Sequence, residues 1–192
     1  MTELGVPPEL QALFNSPECL FDFGDATEHF GPGFHKVPTS QNVWRAAGDA
    51  VTEVIISHSA MEALAYITFN RHLHRMLETM AFIAIGNYPH TLQTDWIRET
   101  FRGRKIILVF GNCMLGRLAD IKVVAELRKL PVRMFLQQNS ITIDCKGNYS
   151  SFEQNSLSLH VFEKAFSIRS GIKTSKPKNY LTYLDQLIAH GK

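Results

Sequence analysis

Ile106-Ile107-Leu108-Val109-Phe110-Gly111-Asn112-Cys113-Met114-Leu115-Gly116-Arg117 is an apolar run that breaks into a glycine-flanked turn and opens a helix. In an open parallel α/β sheet, ligands gather outside the carboxyl ends of the strands, so the residues just after Val109 mark an expected site. Gly111 and Gly116 suit such a turn because they let the backbone bend and approach a neighbour closely. The turn has the frame of a metal-binding strand-to-helix junction without the acids.

The same pattern recurs earlier in the chain. Glu53-Val54-Ile55-Ile56 runs into Ser57-His58-Ser59-Ala60-Met61-Glu62-Ala63-Leu64. A strand is expected over 53–57 and a helix over 59–71, with the Ser59 hydroxyl as its cap. Further strands are expected over 80–85, 105–110 and 132–136, alternating with helices over 94–101 and 115–129. Continuous apolar strands alternating with helices imply a mostly parallel central sheet covered by helices on both faces, an α/β fold.

After Gln137 the periodicity changes. Ser140-Ile-Thr-Ile-Asp-Cys145 alternates and is followed by Lys146-Gly147-Asn148, which reads as a hairpin arm or an edge strand. Helices are expected over 157–168 and 180–190, separated by a basic loop over 169–178. Residues 1–40 hold five prolines and several glycines, and read as an irregular lead-in with one short helix over 8–14. The chain divides into this segment, packed on the domain, and one α/β domain over 41–192.

The paired turns resemble the Toprim domain, the catalytic module of bacterial primases, topoisomerases and several nucleases. That family carries Glu-x-x-x-Asp-Ala-Leu after its first strand and Asp-x-Asp-x-x-Gly-Arg after a later one. Here the first glutamate falls on His58 and the helix aspartate on Glu62, with Ala63-Leu64 matching. The two later aspartates fall on Gly111 and Cys113, with Gly116 and Arg117 matching. Lys176-Pro-Lys-Asn179-Tyr-Leu181 is similar to the Lys-Asp-Trp-Asn-x-x-Leu ending of primase-like Toprim proteins of mobile elements. The resemblance implies a Rossmann-like, Toprim-like sheet and a role in replication or mobilisation of a mobile element.

It also implies a degenerate centre. Magnesium is held by carboxylates, phosphates and water, and His58, Gly111 and Cys113 stand where three carboxylates are expected. Neutral imidazole and thiol are poor partners for it, so no magnesium cofactor is expected. Zinc held by His58 and Cys113 is an alternative, although two ligands fall short of four. A Cys113 thiolate at a helix start, activated by His58, is another. The plain reading is that both side chains fill space. Arg117, Lys173, Lys176, Lys178 and Asn179 are the candidates for nucleic-acid or anion contact.

Composition narrows the classes. The 192 residues, 45% hydrophobic, fit one core. Twenty basic against eighteen acidic residues give +2, which alone does not announce a DNA-binding protein. The first 30 residues hold six acids and no Lys or Arg, whereas 98–104 and 169–178 are basic; each is also what a solvated face looks like. Cys19, Cys113 and Cys145 are odd in number and irregular in spacing, against a disulfide framework and for a reducing, cytoplasmic location. No apolar run approaches the ~20 residues of a membrane helix, so no membrane partner is expected. His72 and His74, beside Arg71 and Arg75, read as a basic helix end. Trp44 and Trp96 read as core residues that could otherwise stack on bases.

The reading that follows is a DNA-associated binding or scaffolding module, working with a replication or mobilisation protein. An enzyme of altered chemistry at His58 and Cys113 is the alternative.

Overall fold

The computed structural model describes residues 1–16, 18–74 and 76–191, so Pro17, Arg75 and Lys192 lie outside it. Its centre is a five-stranded sheet in the order β11-β7-β5-β6-β4. These strands are β4 (Trp44–Ala47), β5 (Glu53–Ser57), β6 (Met80–Ala84), β7 (Lys105–Val109) and β11 (Lys173–Thr174).

Successive β5 side chains point to opposite faces, as the two-residue strand period requires. Ile55 joins Phe82, Ile107 and Val109 in one apolar core, and Val54 and Ile56 join Ala81, Ile83 and Leu108 in another. The first face is covered by α1 (Pro8–Phe14), α2 (Ala60–Asn70) and α6 (Tyr183–His190). The second is covered by α3 (Thr91–Thr100), α4 (Met114–Leu127) and α5 (Leu159–Ala165). Burial on both faces explains why β5 and β6 read as unbroken apolar runs.

The expected mostly parallel sheet is met in part. Strands β11, β7, β5 and β6 run parallel, whereas β4 joins β6 antiparallel. Two further sheets are antiparallel throughout, so antiparallel pairings outnumber parallel ones among the described residues. The chain is therefore α/β with mixed sheets.

One correction concerns 132–136, read as a strand of the main sheet. It is β8 (Val132–Leu136), which pairs with β9 (Ser140–Cys145) in a separate meander completed by β10 (Asn148–Glu153). The short link from β8 to β9 leaves no room for a crossover helix, so β9 folds back as a hairpin. Alternation along β9 sends Ile141, Ile143 and Cys145 inward, and the two isoleucines join the α4 and α5 side of the core.

The second correction concerns the N-terminal segment. Residues 1–40 hold the expected α1 and also an antiparallel meander of β1 (Leu20–Asp22), β2 (Thr27–Gly31) and β3 (Phe34–Lys36). Strands this short show too little alternation to stand out among turn residues. Leu10, Phe14, Phe21 and Phe23 enter the same core as α2, and Trp44 packs on Phe14 and Phe21 at 5.2 Å between ring centroids. Trp96 packs edge-on against Phe101 at 5.7 Å.

A buried carboxylate attaches the meander to the domain. Glu28, on β2, is fully buried and accepts the Ala60 N–H at 2.7 Å and the Met61 N–H at 3.0 Å. These are the first free donors of α2, and negative charge suits that end of the helix. The Ser59 hydroxyl accepts the Glu62 N–H at 3.0 Å and completes the cap. His35 Nε2 lies 3.0 Å from the same Glu28 carboxylate. Glu28→Ala is expected to cost about 3 kcal/mol, because it removes two charge-assisted bonds and strands buried N–H groups. Urea denaturation measures this, with exposed Glu18→Ala expected to stay within about 0.5 kcal/mol of the parent.

Candidate functional site

The serine-flanked and glycine-flanked turns lie side by side, because β5 and β7 are adjacent and in register, with Ser57 opposite Val109. Beyond Val109 the chain crosses Gly111 and Asn112 into α4, whose N-cap is Cys113. Gly116 has a steric role here: a Cβ on it would stand 2.0 Å from the Gly111 carbonyl oxygen. Only glycine lets the first turn of α4 close on the strand end. The Asn112 N–H then donates to the Leu181 carbonyl at 2.6 Å, which brings the approach to α6 over the turn.

Glu62 is the acid that remains among the expected metal positions. It is fully buried, and its two oxygens accept the Tyr183 and Leu184 N–H groups at 2.9 Å each. Its carboxylate thus caps the N-terminus of α6, 121 residues further along the chain. Burial pushes its pKa up to about 7, against the pull of the two N–H donors.

His58 follows β5 and is half-buried. Burial, chiefly, with the nearby His35 and Lys176 charges holds its pKa down at about 4, against the opposing pull of Asp185. The ring is therefore neutral at pH 7. Gly111 contributes no side chain, and a Cβ there would lie 3.3 Å from the Leu181 carbonyl oxygen. Cys113 is exposed, and its side chain makes no capping bond.

These groups do not fit magnesium. Both Glu62 oxygens already hold a helix terminus, and neutral imidazole, glycine and thiol offer none of the hard oxygen ligands that magnesium demands. Among the described residues no group of three or more His, Cys, Asp or Glu side chains is placed to hold a metal ion.

The basic candidates separate into two kinds. Arg117 is committed within the fold: its guanidinium donates to the Asn155 carbonyl at 2.6 Å and, more weakly, to Leu157 O and Asn112 Oδ1 at 3.4 Å. Arg117 is half-buried, and these bonds tie its guanidinium to the loop after β10. Lys176 is also committed, to Asp120 and to the carbonyls of Phe110 and Gly111. Lys173, Lys178 and Asn179 are exposed. Lys178 and Asn179 border a cleft of about 490 Å³ that is also lined by Tyr180, Tyr183 and Phe69. His74 follows the 3-10 turn Arg71–Leu73 and, unlike a solvated helix end, is buried, with Nδ1 2.6 Å from Glu53 and Nε2 2.9 Å from the Tyr66 hydroxyl.

A larger cavity, about 740 Å³, has His58 in its lining. Its walls come from the β2–β3 hairpin, through Phe30, Phe34 and His35, and from α6, through Leu184 and Ile188. His58 and Glu62 are the polar groups at the carboxyl end of β5 that reach it. Sequence reasoning misses this wall because Glu28, which anchors the hairpin, sits in an acidic segment that looks like a solvated face. It misses Asp120 because one carboxylate on an apolar helix reads as an exposed position. The signal for Asp120 is its spacing among Ile121, Val124 and Ala125, which are buried.

No helix among the described residues is long and apolar enough to cross a membrane. No protein-family model, no curated protein and no solved structure matches this chain.

The His58 shift has a sign that stability measurements can read. A folded-state pKa below the unfolded value means that the unfolded chain binds the proton first, so stability is lost as pH falls from about 6.5 to about 4. Glu62 and Asp120, both raised, contribute stability that falls as pH rises through their own windows. His58→Gln is therefore expected to flatten the acid limb, gaining on the order of 2 kcal/mol relative to wild type at pH 4 after allowance for the ring's exposure. Urea midpoints of both proteins from pH 4 to 8 give the comparison; equal slopes would refute a neutral ring.

Proposed function

We propose that this protein is a catalytically degenerate, Toprim-like binding module that associates with nucleic acid in replication or mobilisation of a mobile element. The observation that carries the proposal is the fate of the expected metal positions. His58, Gly111 and Cys113 provide no carboxylate, and the remaining acid, Glu62, is spent on the N-terminus of α6. The adjacent β5 and β7, each delivering a turn into a helix, support the Toprim-like reading.

The nucleic-acid surface in this proposal is the loop after β11. Lys178 and Asn179 are exposed there and share a cleft with Tyr180, and Lys173 is exposed just before it, on the edge strand β11. Cations beside an accessible aromatic ring suit a single strand, with phosphates held by ammonium groups and a base stacked on the ring. A second reading, thiol chemistry at Cys113, has one observation in its favour: the thiol is exposed at the start of α4 with no capping bond.

The test is binding of the purified protein to single- and double-stranded DNA across a salt series, with phosphodiester cleavage and primer synthesis assayed in magnesium and manganese. Binding to single strands that weakens with salt, and no turnover, are expected. Lys173→Ala with Lys178→Ala is expected to reduce the slope of log K against log salt by about 1–2, one or less for each phosphate that is no longer neutralised. Arg117→Ala is expected to leave that slope unchanged. Turnover abolished by Cys113→Ala would replace the proposal with the thiol reading.

A further inference from the structure

The meander β10-β9-β8 ends in an unpaired edge. Among the described residues β8 pairs with β9 alone, from Val132 opposite Cys145 to Leu136 opposite Ile141. Two bonds fix which residues that ladder uses: the Gln137 N–H donates to the Ser140 carbonyl at 2.9 Å, and the Lys146 N–H to the Pro131 carbonyl at 3.2 Å. Hydrogen-bonded pairs alternate along an antiparallel ladder, so Arg133 and Phe135 bond to β9. The N–H and C=O groups of Val132, Met134 and Leu136 therefore face away from it. Such an edge is a template for another strand, and proteins commonly blunt it with several charges or a proline. Here the strand is Val132-Arg-Met-Phe-Leu136, with Phe135 48% and Leu136 61% exposed.

We propose that β8 pairs antiparallel with β8 of a second copy of this chain, about a two-fold axis at Met134. Val132 of one copy then lies opposite Leu136 of the other, and Met134 opposite Met134. Each of the three outward-facing pairs exchanges two N–H···O bonds, about six in all. The side chains suit this register. Arg133 lies opposite Phe135 of the second copy in the closer, non-hydrogen-bonded kind of pair, where a guanidinium on an aromatic ring is favourable. On the opposite face Leu136 meets Val132, which already packs on the α4 and α5 side of the core. An axis at Arg133 would set two guanidinium groups directly opposite each other and lose one of the three bonded pairs. The register with the most bonds is thus the one that keeps the like charges out of direct opposition.

The far edge of the meander is a poorer match. By the same alternation, the residues of β10 that bond outward are Tyr149, Ser151 and Glu153, a polar set that ends on a carboxylate. Pairing β8 with β10 of another copy is head-to-tail and leaves free edges, whereas β8 on β8 closes as a two-fold dimer and covers both apolar edges. A five-residue strand pair lies at the low end of interface size, so the dissociation constant is expected in the range of about 1–100 μM. The inference is independent of the nucleic-acid proposal.

Sedimentation velocity of the purified protein from about 1 to 300 μM, spanning that range, reads the association directly. A monomer that converts to a dimer, with no larger species, is expected. A monomer at every concentration would overturn the inference and leave the edge to a strand of different sequence. Species that grow beyond the dimer would overturn it in favour of head-to-tail pairing. Leu136→Pro removes an N–H that β9 does not use, a place where an edge strand tolerates proline. It is expected to raise the dissociation constant about tenfold or more, since it costs the dimer two of its backbone bonds.

The register is tested by two substitutions at one exposed position. Phe135→Arg places a guanidinium opposite Arg133 of the second copy and is expected to weaken the dimer about tenfold or more. Phe135→Glu removes the same apolar ring but places a carboxylate opposite Arg133, and is expected to hold the dissociation constant within about threefold of the parent at low salt. Equal loss in both variants would mean that Phe135 acts only as an apolar contact, and would overturn the proposed pairing.

Discussion

The Glu62 carboxylate holding the first N–H groups of α6 is the contact on which the site's geometry depends. It fixes α6 against α2, and the approach to α6 in turn carries the Leu181 carbonyl that receives the Asn112 N–H. The turn after β7 is thus clamped on one side by the approach to α6 and on the other by the close approach of Gly116 to Gly111. The two N–H groups take one lone pair on each Glu62 oxygen and hold the carboxylate against the start of α6.

Glu28 repeats the device at the start of α2. It caps α2 from β2 as Glu62, on α2, caps α6, so two buried carboxylates chain the N-terminal meander, α2 and α6 together. The arrangement replaces the open mouth expected at the carboxyl ends of the parallel strands with a hairpin-walled, largely apolar cavity. His58 is left neutral at its edge, since burial outweighs the one nearby carboxylate that favours its proton.

Charge at the surface is not where residue counting places it. Arg117, Arg128 and Lys176 all donate to main-chain carbonyls of distant segments, acting as cross-braces for loops that lack secondary structure of their own. Of the basic candidates, Lys178 in the loop before α6 and Lys173 on the edge strand β11 are exposed. A basic cluster in a sequence is a count of cations; whether they are available to a phosphate depends on which carbonyls the fold brings within their reach.

The α/β class, the positions of β5, β6, β7, α1, α2 and α4, and the two turns as the place to look all follow from the order of residues. Those elements are legible because burial on both faces makes a strand continuously apolar, and because Ser59 and Gly116 mark their junctions locally. Folding in three dimensions was needed to send Val132–Leu136 out of the main sheet into a meander, and to make strands of residues 20–36. It was needed too for Glu62 to cap a helix, for Arg117 and Lys176 to bond to distant carbonyls and for Asp120 to be buried. The side-chain partners of Arg117 and Glu62 lie 38 and 121 residues away, and the N-terminal strands are too short to show a period. Periodicity and motif spacing report only what a residue's near neighbours require, whereas a buried charge is defined by whichever distant backbone group the fold places against it.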